Sequence, residues 1–296
     1  MRRHLAGLGS GAGRTKATRA GVELGRPLAA VLPRTHAWAM LRYVQPLAQA
    51  AVGTNVAVAG ARVRIPGSLL IRLSVVAGNI RVQRLMDGAL RPGANVIDVG
   101  ANLGYNAVYA ARRVGPTGQV LAIEPAADNL AILRENIATN GLNNIVVQPV
   151  AAGRGSEVRN FFLRGDVSAV NSLFPQSMYG AVTGVEQVRV MALDDLVDID
   201  PDLVKIDVEG AELEVLAGMT RLLGRPAFPM IVEWHPELQQ MAGYRPDALP
   251  RVLLDHGFTL HVAWHTHLTT LNASDIDGVA SRLRRARRPA ELLACR

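Results

Sequence analysis

The stretch VIDVGANLGYN, residues 96–106, decides how the rest of the chain is read. An apolar run closes on Asp98, and glycines follow at Gly100 and Gly104. A strand that runs into glycines and then a helix brings backbone N–H groups and the positive end of a helix dipole to a ligand. Turns that bind the pyrophosphate of a dinucleotide need G-x-G-x-x-G. Here the spacing is D-x-G-x-x-x-G, and no third glycine follows. An acid at this turn repels a pyrophosphate and suits an adenosine-bearing cation with an ammonium and a sulfonium, as in S-adenosylmethionine. The next strand-like run, QVLAIEP, ends in Glu124, where acids of doubly wound sheets take both ribose hydroxyls.

Working outward, strand-like and helix-like segments alternate, as in a parallel sheet covered by helices on both faces. LGYNAVYAARRV follows the first strand as a helix, and ADNLAILRENIATNG follows the second, ending on Asn140-Gly141. NIVVQPVAA, DLVKIDVEG and FPMIVEWHPE read as the third, fourth and fifth core strands. VRNFFLRG and EQVRVMALDDL read as additional strands, with RGDVSAVNSLFPQSMYG between them as a substrate cover; GFTLHVAW and HLTTLNA form a terminal antiparallel pair. The expected organisation is a basic tail at 1–34, a helix and strand lead-in at 35–90, the main domain at 91–280 and a basic tail at 281–296. Within the lead-in, a short helix is expected from Arg34 to about Val44, and VAVAGARVRIPG reads as a strand pair or hairpin.

Composition narrows the function classes. The net charge is +7, but the arginines concentrate in the first 35 residues and in SRLRRARRPAELLACR, and lysine occurs only at 16 and 205. With aromatic residues at 4%, few platforms exist on which bases could stack, so no nucleic-acid partner is expected. No run reaches the roughly 18 to 20 apolar residues of a membrane helix, so no stable membrane insertion is expected. A single cysteine, Cys295, allows neither an intrachain disulfide nor a cysteine metal cluster, and a reducing cytoplasm fits. The opening segment also has the composition of a mitochondrial transit peptide, and Met40 is a candidate late start.

A second constellation lies in DLVKIDVEGAELEVL, residues 202–216. Strand alternation puts Leu203, Lys205 and Asp207 on one side and Val204, Ile206 and Val208 on the other. A lysine in a covered strand needs an acidic partner. Two readings stand side by side: a buried Lys-Asp pair that positions the strand end, or Lys205 orienting acids or substrate beside it. Asp207 and Glu209 fall at the carboxyl edge of the sheet, where ligands of such folds bind.

VIDVGANLGYN, IEP, VMALDDL, LVKIDVEGAELEVLAG and IVEWHPE, taken together across roughly residues 91–237, resemble the FkbM-type family of S-adenosylmethionine-dependent methyltransferases. The resemblance implies a class I methyltransferase fold, an α/β Rossmann-like seven-stranded sheet with helices on both faces and a reversed last strand. It implies O-methylation of a hydroxyl on a sugar, glycan or polyketide-type metabolite. Carried over by position, Asp98, Gly100, Ala101, Asn102, Gly104 and Tyr105 surround the methionine part of the cofactor. Glu124 takes the ribose, and Ala151 lines the adenine. Asp207, Glu209 and His235 are the candidate bases, with Lys205 beside them.

His261, His265 and His267 share strand parity, a pattern zinc could use, although such a face more often lines substrate or solvent. No metal is assigned, and a magnesium site built on Asp207 and neighbouring acids stays open. The rival readings are a nicotinamide-dependent oxidoreductase and a nucleic-acid methyltransferase. A homo-oligomer is compatible with all of them.

Overall fold

The computed structural model describes residues 53–164, 170–225, 228–264 and 267–296. A hairpin of β1 (Asn55–Val58) and β2 (Ala61–Arg64) leads into the long helix α1 (Leu69–Ala89). The alternating units then begin with β3 (Asn95–Val99), α2 (Tyr105–Val114), β4 (Gln119–Ile123), α3 (Ala127–Thr139) and β5 (Ile145–Gln148). Three strands, β6 (Ala151–Gly153), β7 (Glu157–Leu163) and β8 (Gly184–Ala192), form a separate small sheet in the order β6-β8-β7. The chain returns through α4 (Leu193–Leu196), β9 (Leu203–Ile206), α5 (Glu212–Ala217), α6 (Thr220–Leu223) and β10 (Met230–Trp234). It continues through α7 (Pro236–Met241), α8 (Ala248–Asp255), β11 (Thr259–Ala263), β12 (Leu268–Thr270), α9 (Ile276–Ala286) and β13 (Ala290–Cys295).

The main sheet has eight strands in the order β12-β11-β13-β10-β9-β3-β4-β5. β3, β4, β5, β9 and β10 are mutually parallel, so their carboxyl ends share one edge. β13 runs antiparallel between β10 and β11, and β12 adds an eighth strand outside the expected seven. Strand parity divides the core. Ile97, Val99, Val204, Ile206 and Val232 face the layer that holds α5, α6 and α8. Val96, Leu203, Ile231 and Leu293 face the layer that holds α1, α2 and the hairpin.

Two segments depart from the sequence reading. Residues 281–296, expected as a basic tail, are the end of α9 and an interior strand of the sheet. AELLAC is a short run, apolar except for Glu291, of the kind a strand covered on both faces requires. The arginines before it hid that run, and they lie exposed on α9 and in the turn after it. The second departure is α1, which was not singled out; its buried face carries Val76, Val82, Leu85 and Met86 with Gln83. Asn106 donates to Asn79 at 2.5 Å and Tyr109 donates to Asp87, joining α1 to α2. The hairpin falls where VAVAGARVRIPG predicts it, while the expected tail at 1–34 and the helix from residue 34 to 44 lie outside the described residues.

Leu292, with no exposed surface and apolar neighbours from both flanking strands, tests the placement of β13. Leu292→Ala should lower unfolding free energy by about 2 to 5 kcal/mol in a denaturant titration. Exposed Arg284→Ala should change it by less than about 0.5 kcal/mol.

Candidate active site

The carboxyl ends of β3, β4 and β9 meet around one cavity. Gly100, Asn102, Glu124, Ala151, Asp207 and Glu209 line it, with Ile123, Val150, Phe161, Asn171 and Leu173. At Gly100, φ is +79°, and an added Cβ would sit 1.9 Å from the carbonyl oxygen of Asp207. Only glycine allows the turn after β3 to lie against the end of β9, where the Asp207 N–H donates to the Val99 carbonyl at 3.1 Å. The N–H groups of Gly100 and Ala101 both donate to the Ile123 carbonyl at 3.0 Å, tying the turn to β4. Gly104 answers to packing instead, since a Cβ there would lie 2.4 Å from Leu133 of α3.

Glu124 is 4% exposed and organises the second wall. One carboxylate oxygen accepts from the Asn102 N–H at 2.9 Å, and the other accepts from the Ala126 N–H at 2.9 Å and the Asn129 amide at 3.1 Å. Burial raises its carboxyl above the ordinary range, and these three donors pull it back. An ionised carboxylate has about four acceptor directions, so it retains capacity for a ligand hydroxyl. Asn102, held at φ +51°, points its N–H at Glu124 while its own side chain accepts from the Leu103 N–H at 2.7 Å.

On the opposite side, Val208 and Gly210 donate their N–H groups to Glu212 at 3.2 and 3.1 Å, fixing the turn that carries Glu209. Burial pushes the Glu212 carboxyl up to about 7. Glu209 sits at φ +53°, a left-handed conformation uncommon for a residue other than glycine. Its carbonyl accepts from the Ser172 hydroxyl at 2.8 Å. Its carboxyl is raised well above the ordinary range by burial and then by Asp207 and Glu212. Asp207, Glu209 and Glu233 bring carboxylate oxygens within 4.8 Å of one another, the one such group among the described residues; no ion is assigned to it.

Six predicted residues lie outside the cavity wall: Asp98, Ala101, Gly104, Tyr105, Lys205 and His235. Asp98 has no exposed surface and meets Lys205, whose Nζ lies 3.3 Å from Asp98 Oδ1 and 3.3 Å from Asp207 Oδ2. Burial alone would lower the Lys205 ammonium, but Asp207 and Asp98 more than offset it and raise it. Tyr105 is 5% exposed, at the start of α2. His235 caps α7, its Nδ1 accepting from the Leu238 N–H at 3.4 Å, with its ring edge-on to Tyr179. Burial lowers its pKa. His261 contacts the Thr270 hydroxyl at 3.3 Å, His267 is exposed, and His265 lies outside the described residues.

Several residues of the site escaped the sequence reading. Phe161 comes from β7 and Asn129 from α3, while Leu173 lies in RGDVSAVNSLFPQSMYG, the stretch read as a substrate cover but not named residue by residue. Glu291, from the supposed tail, is pushed up to about 7 by burial and by Asp207. Arg164, 2% exposed, donates to the carbonyls of Phe162, Val170, Phe174 and Pro175 and so folds the segment after β7 over the cavity.

The cavity suits an adenosine cofactor. Ile123, Val150, Ala151, Phe161 and Leu173 make an apolar slot for a base, Glu124 stands beside it for hydroxyls, and the Cβ-free Gly100 lets the ends of β3 and β9 close together at the turn. Strand order and site together define a class I S-adenosylmethionine-dependent methyltransferase. The sequence matches the Methyltransferase FkbM domain over residues 98–260, and the chain belongs to that family. It is 30% identical over 182 residues to the hexuronic acid methyltransferase AglP of Haloferax volcanii, covering 60% of this chain and 66% of that protein. Methyltransferase sdnD of Sordaria araneosa is 29% identical over 198 residues, with 56% and 73% covered. A crystal structure of a methyltransferase FkbM from Methylobacillus flagellatus aligns at 17% identity and TM-score 0.40, covering 86% of this chain and 59% of that one. Family membership replaces the nicotinamide oxidoreductase reading. No described helix is long and apolar enough to cross a membrane.

Gly100→Ala should unfold more easily and lose S-adenosylmethionine binding in calorimetry, because backbone must move to admit the methyl group. Gly115→Ala, also at positive φ but with nothing within 4 Å of its added Cβ, should cost about 1 to 3 kcal/mol through backbone strain and leave binding intact.

Proposed function

We propose that the protein methylates a hydroxyl of a sugar, glycan or polyketide-type metabolite, with Glu209 as the general base. The observation that carries this reading is a single cavity in which the apolar slot and Glu124 at one side face Asp207 and Glu209 at the other. Gly100, Asn102, Glu124 and Ala151 hold S-adenosylmethionine, which when bound supplies a methyl group already activated by its sulfonium. The protein's remaining tasks are to align an acceptor hydroxyl and accept its proton. Glu209 suits the second task because burial and neighbouring acids raise its affinity for protons. Its strained backbone, tied to Ser172, fixes where that carboxylate stands. Asp207 is instead held by Lys205, whose Nζ lies 3.3 Å from its Oδ2.

The segment held by Arg164, with Asn171 and Leu173 in the cavity wall, forms the acceptor cover. A sugar-type acceptor is supported by the name of the Haloferax relative, whose stated substrate is a hexuronic acid.

Transfer of a labelled methyl group from S-adenosylmethionine into a fractionated cell extract, followed by identification of the labelled product, tests the acceptor class. Label recovered on nitrogen, carbon or nucleic acid instead of a hydroxyl oxygen would refute it. With the acceptor fraction in hand, Glu209→Gln should reduce turnover by about 10² to 10⁴ while leaving cofactor affinity within about twofold. Wild-type turnover should rise with pH along a limb whose midpoint lies above the ordinary carboxyl value of 4.5, since the base must be ionised. That limb should be absent from the residual rate of Glu209→Gln, and its persistence would move the role elsewhere.

A further inference from the structure

We propose that Asp98, Lys205 and Asp207 form a charge-setting triad that favours the cationic methyl donor over its uncharged product, with Lys205 as the positioning residue. The inference rests on the cavity being the S-adenosylmethionine site. Lys205 is the register partner of Asp98 across β3 and β9, and its Nζ is 3.3 Å from each of the two acids. Neither oxygen of Asp98 receives a hydrogen bond from any other group, and its side chain is fully enclosed. Asp207 differs, with its side chain 31% exposed and part of the cavity wall.

A pair of Asp98 and Lys205 alone would suffice to hold two strands together, and such buried pairs are seldom stabilising compared with apolar packing. The third member gives the arrangement its sense. Lys205 fixes the Asp207 carboxylate at the cavity but would cancel its charge there. Asp98, behind the ammonium and away from the cavity, offsets that cancellation. Two carboxylates and one ammonium leave one net negative charge, with its exposed pole facing the ligand. S-adenosylmethionine and S-adenosylhomocysteine differ there by the one positive charge of the sulfonium, which methyl transfer removes. A negative site therefore retains the donor and weakens on the product. Glu209, Glu212, Glu233, Glu291 and Tyr179 also surround these residues and stay in place in the substitutions below, although Glu209 and Glu291 lose a nearby cation when Lys205 is replaced.

The test is calorimetric dissociation constants for S-adenosylmethionine and S-adenosylhomocysteine at one pH and ionic strength. Asp98→Asn brings the sum to zero and should lower the preference for the donor on the order of tenfold. Adding Lys205→Met restores one net negative charge and should return the preference to at least the wild-type ratio. A residue that acted only on folding would weaken both ligands alike and gain nothing from the second substitution. A ratio within twofold of wild type in Asp98→Asn, or no recovery in the double variant, would overturn the triad. Should Asp98→Asn fail to fold, Asp207→Asn tests the same sum on the exposed member, and an unchanged ratio there overturns it equally. Wild-type protein that bound neither ligand would instead remove the cofactor-site reading itself.

Discussion

The close approach of Gly100 to the backbone of Asp207 is the constraint on which the site depends. Two turns that follow different strands are brought within van der Waals reach because one of them lacks a side chain. That approach puts Asn102 and Glu124 on one wall and Asp207 and Glu209 on the facing wall of the same cavity. It also sets the register that leaves Asp98 opposite Lys205. Cofactor grip and acceptor chemistry are thus parts of one backbone contact, and neither can shift without the other.

Polar groups follow the same layout through the layer above the sheet. Asp98, Lys205, Glu233 and Glu291 share strand parity with Val96, Leu203, Ile231 and Leu293, the apolar residues that face α1 and α2. Burying so many charges in a helix-covered layer costs desolvation energy, which appears as raised carboxyl pKa values. The bonds of Asn79 and Asp87 to Asn106 and Tyr109 belong to this polar layer, beside the apolar Val76, Val82, Leu85 and Met86 of the same helix.

Much of this was legible in the sequence because local pattern and function coincide. The strand, glycine and helix order of residues 96–106, the acid ending QVLAIEP and the alternation in LVKIDVEG each encode their structure within a few residues. Asp98 was read as a strand-end acid at the cofactor turn, and its enclosure against Lys205 was not foreseen. Parity settles which face a residue takes, and only the packing of α1 settles whether that face is wet. Glu291 and β13 were lost because an arginine-rich helix disguised the strand after it. Phe161 and Asn129 reach the cavity through contacts distant in sequence, for which a single sequence carries no local signal. The strain at Glu209 has a sequence trace only in Gly210 beside it.

The placement of β13 bears on how the chain acquires its shape. β11 and β12 are made before β13, yet they join the sheet only through it. Until β13 enters, β10 is an open edge and the β11–β12 hairpin has no strand to pair with, although both are already synthesised. The outer third of the sheet is therefore completed by insertion between two waiting strands, a non-local step that is slow compared with hairpin closure. An exposed parallel edge during that wait is a template for pairing with another chain, so during folding the molecule is most prone to aggregate at the flank of β10.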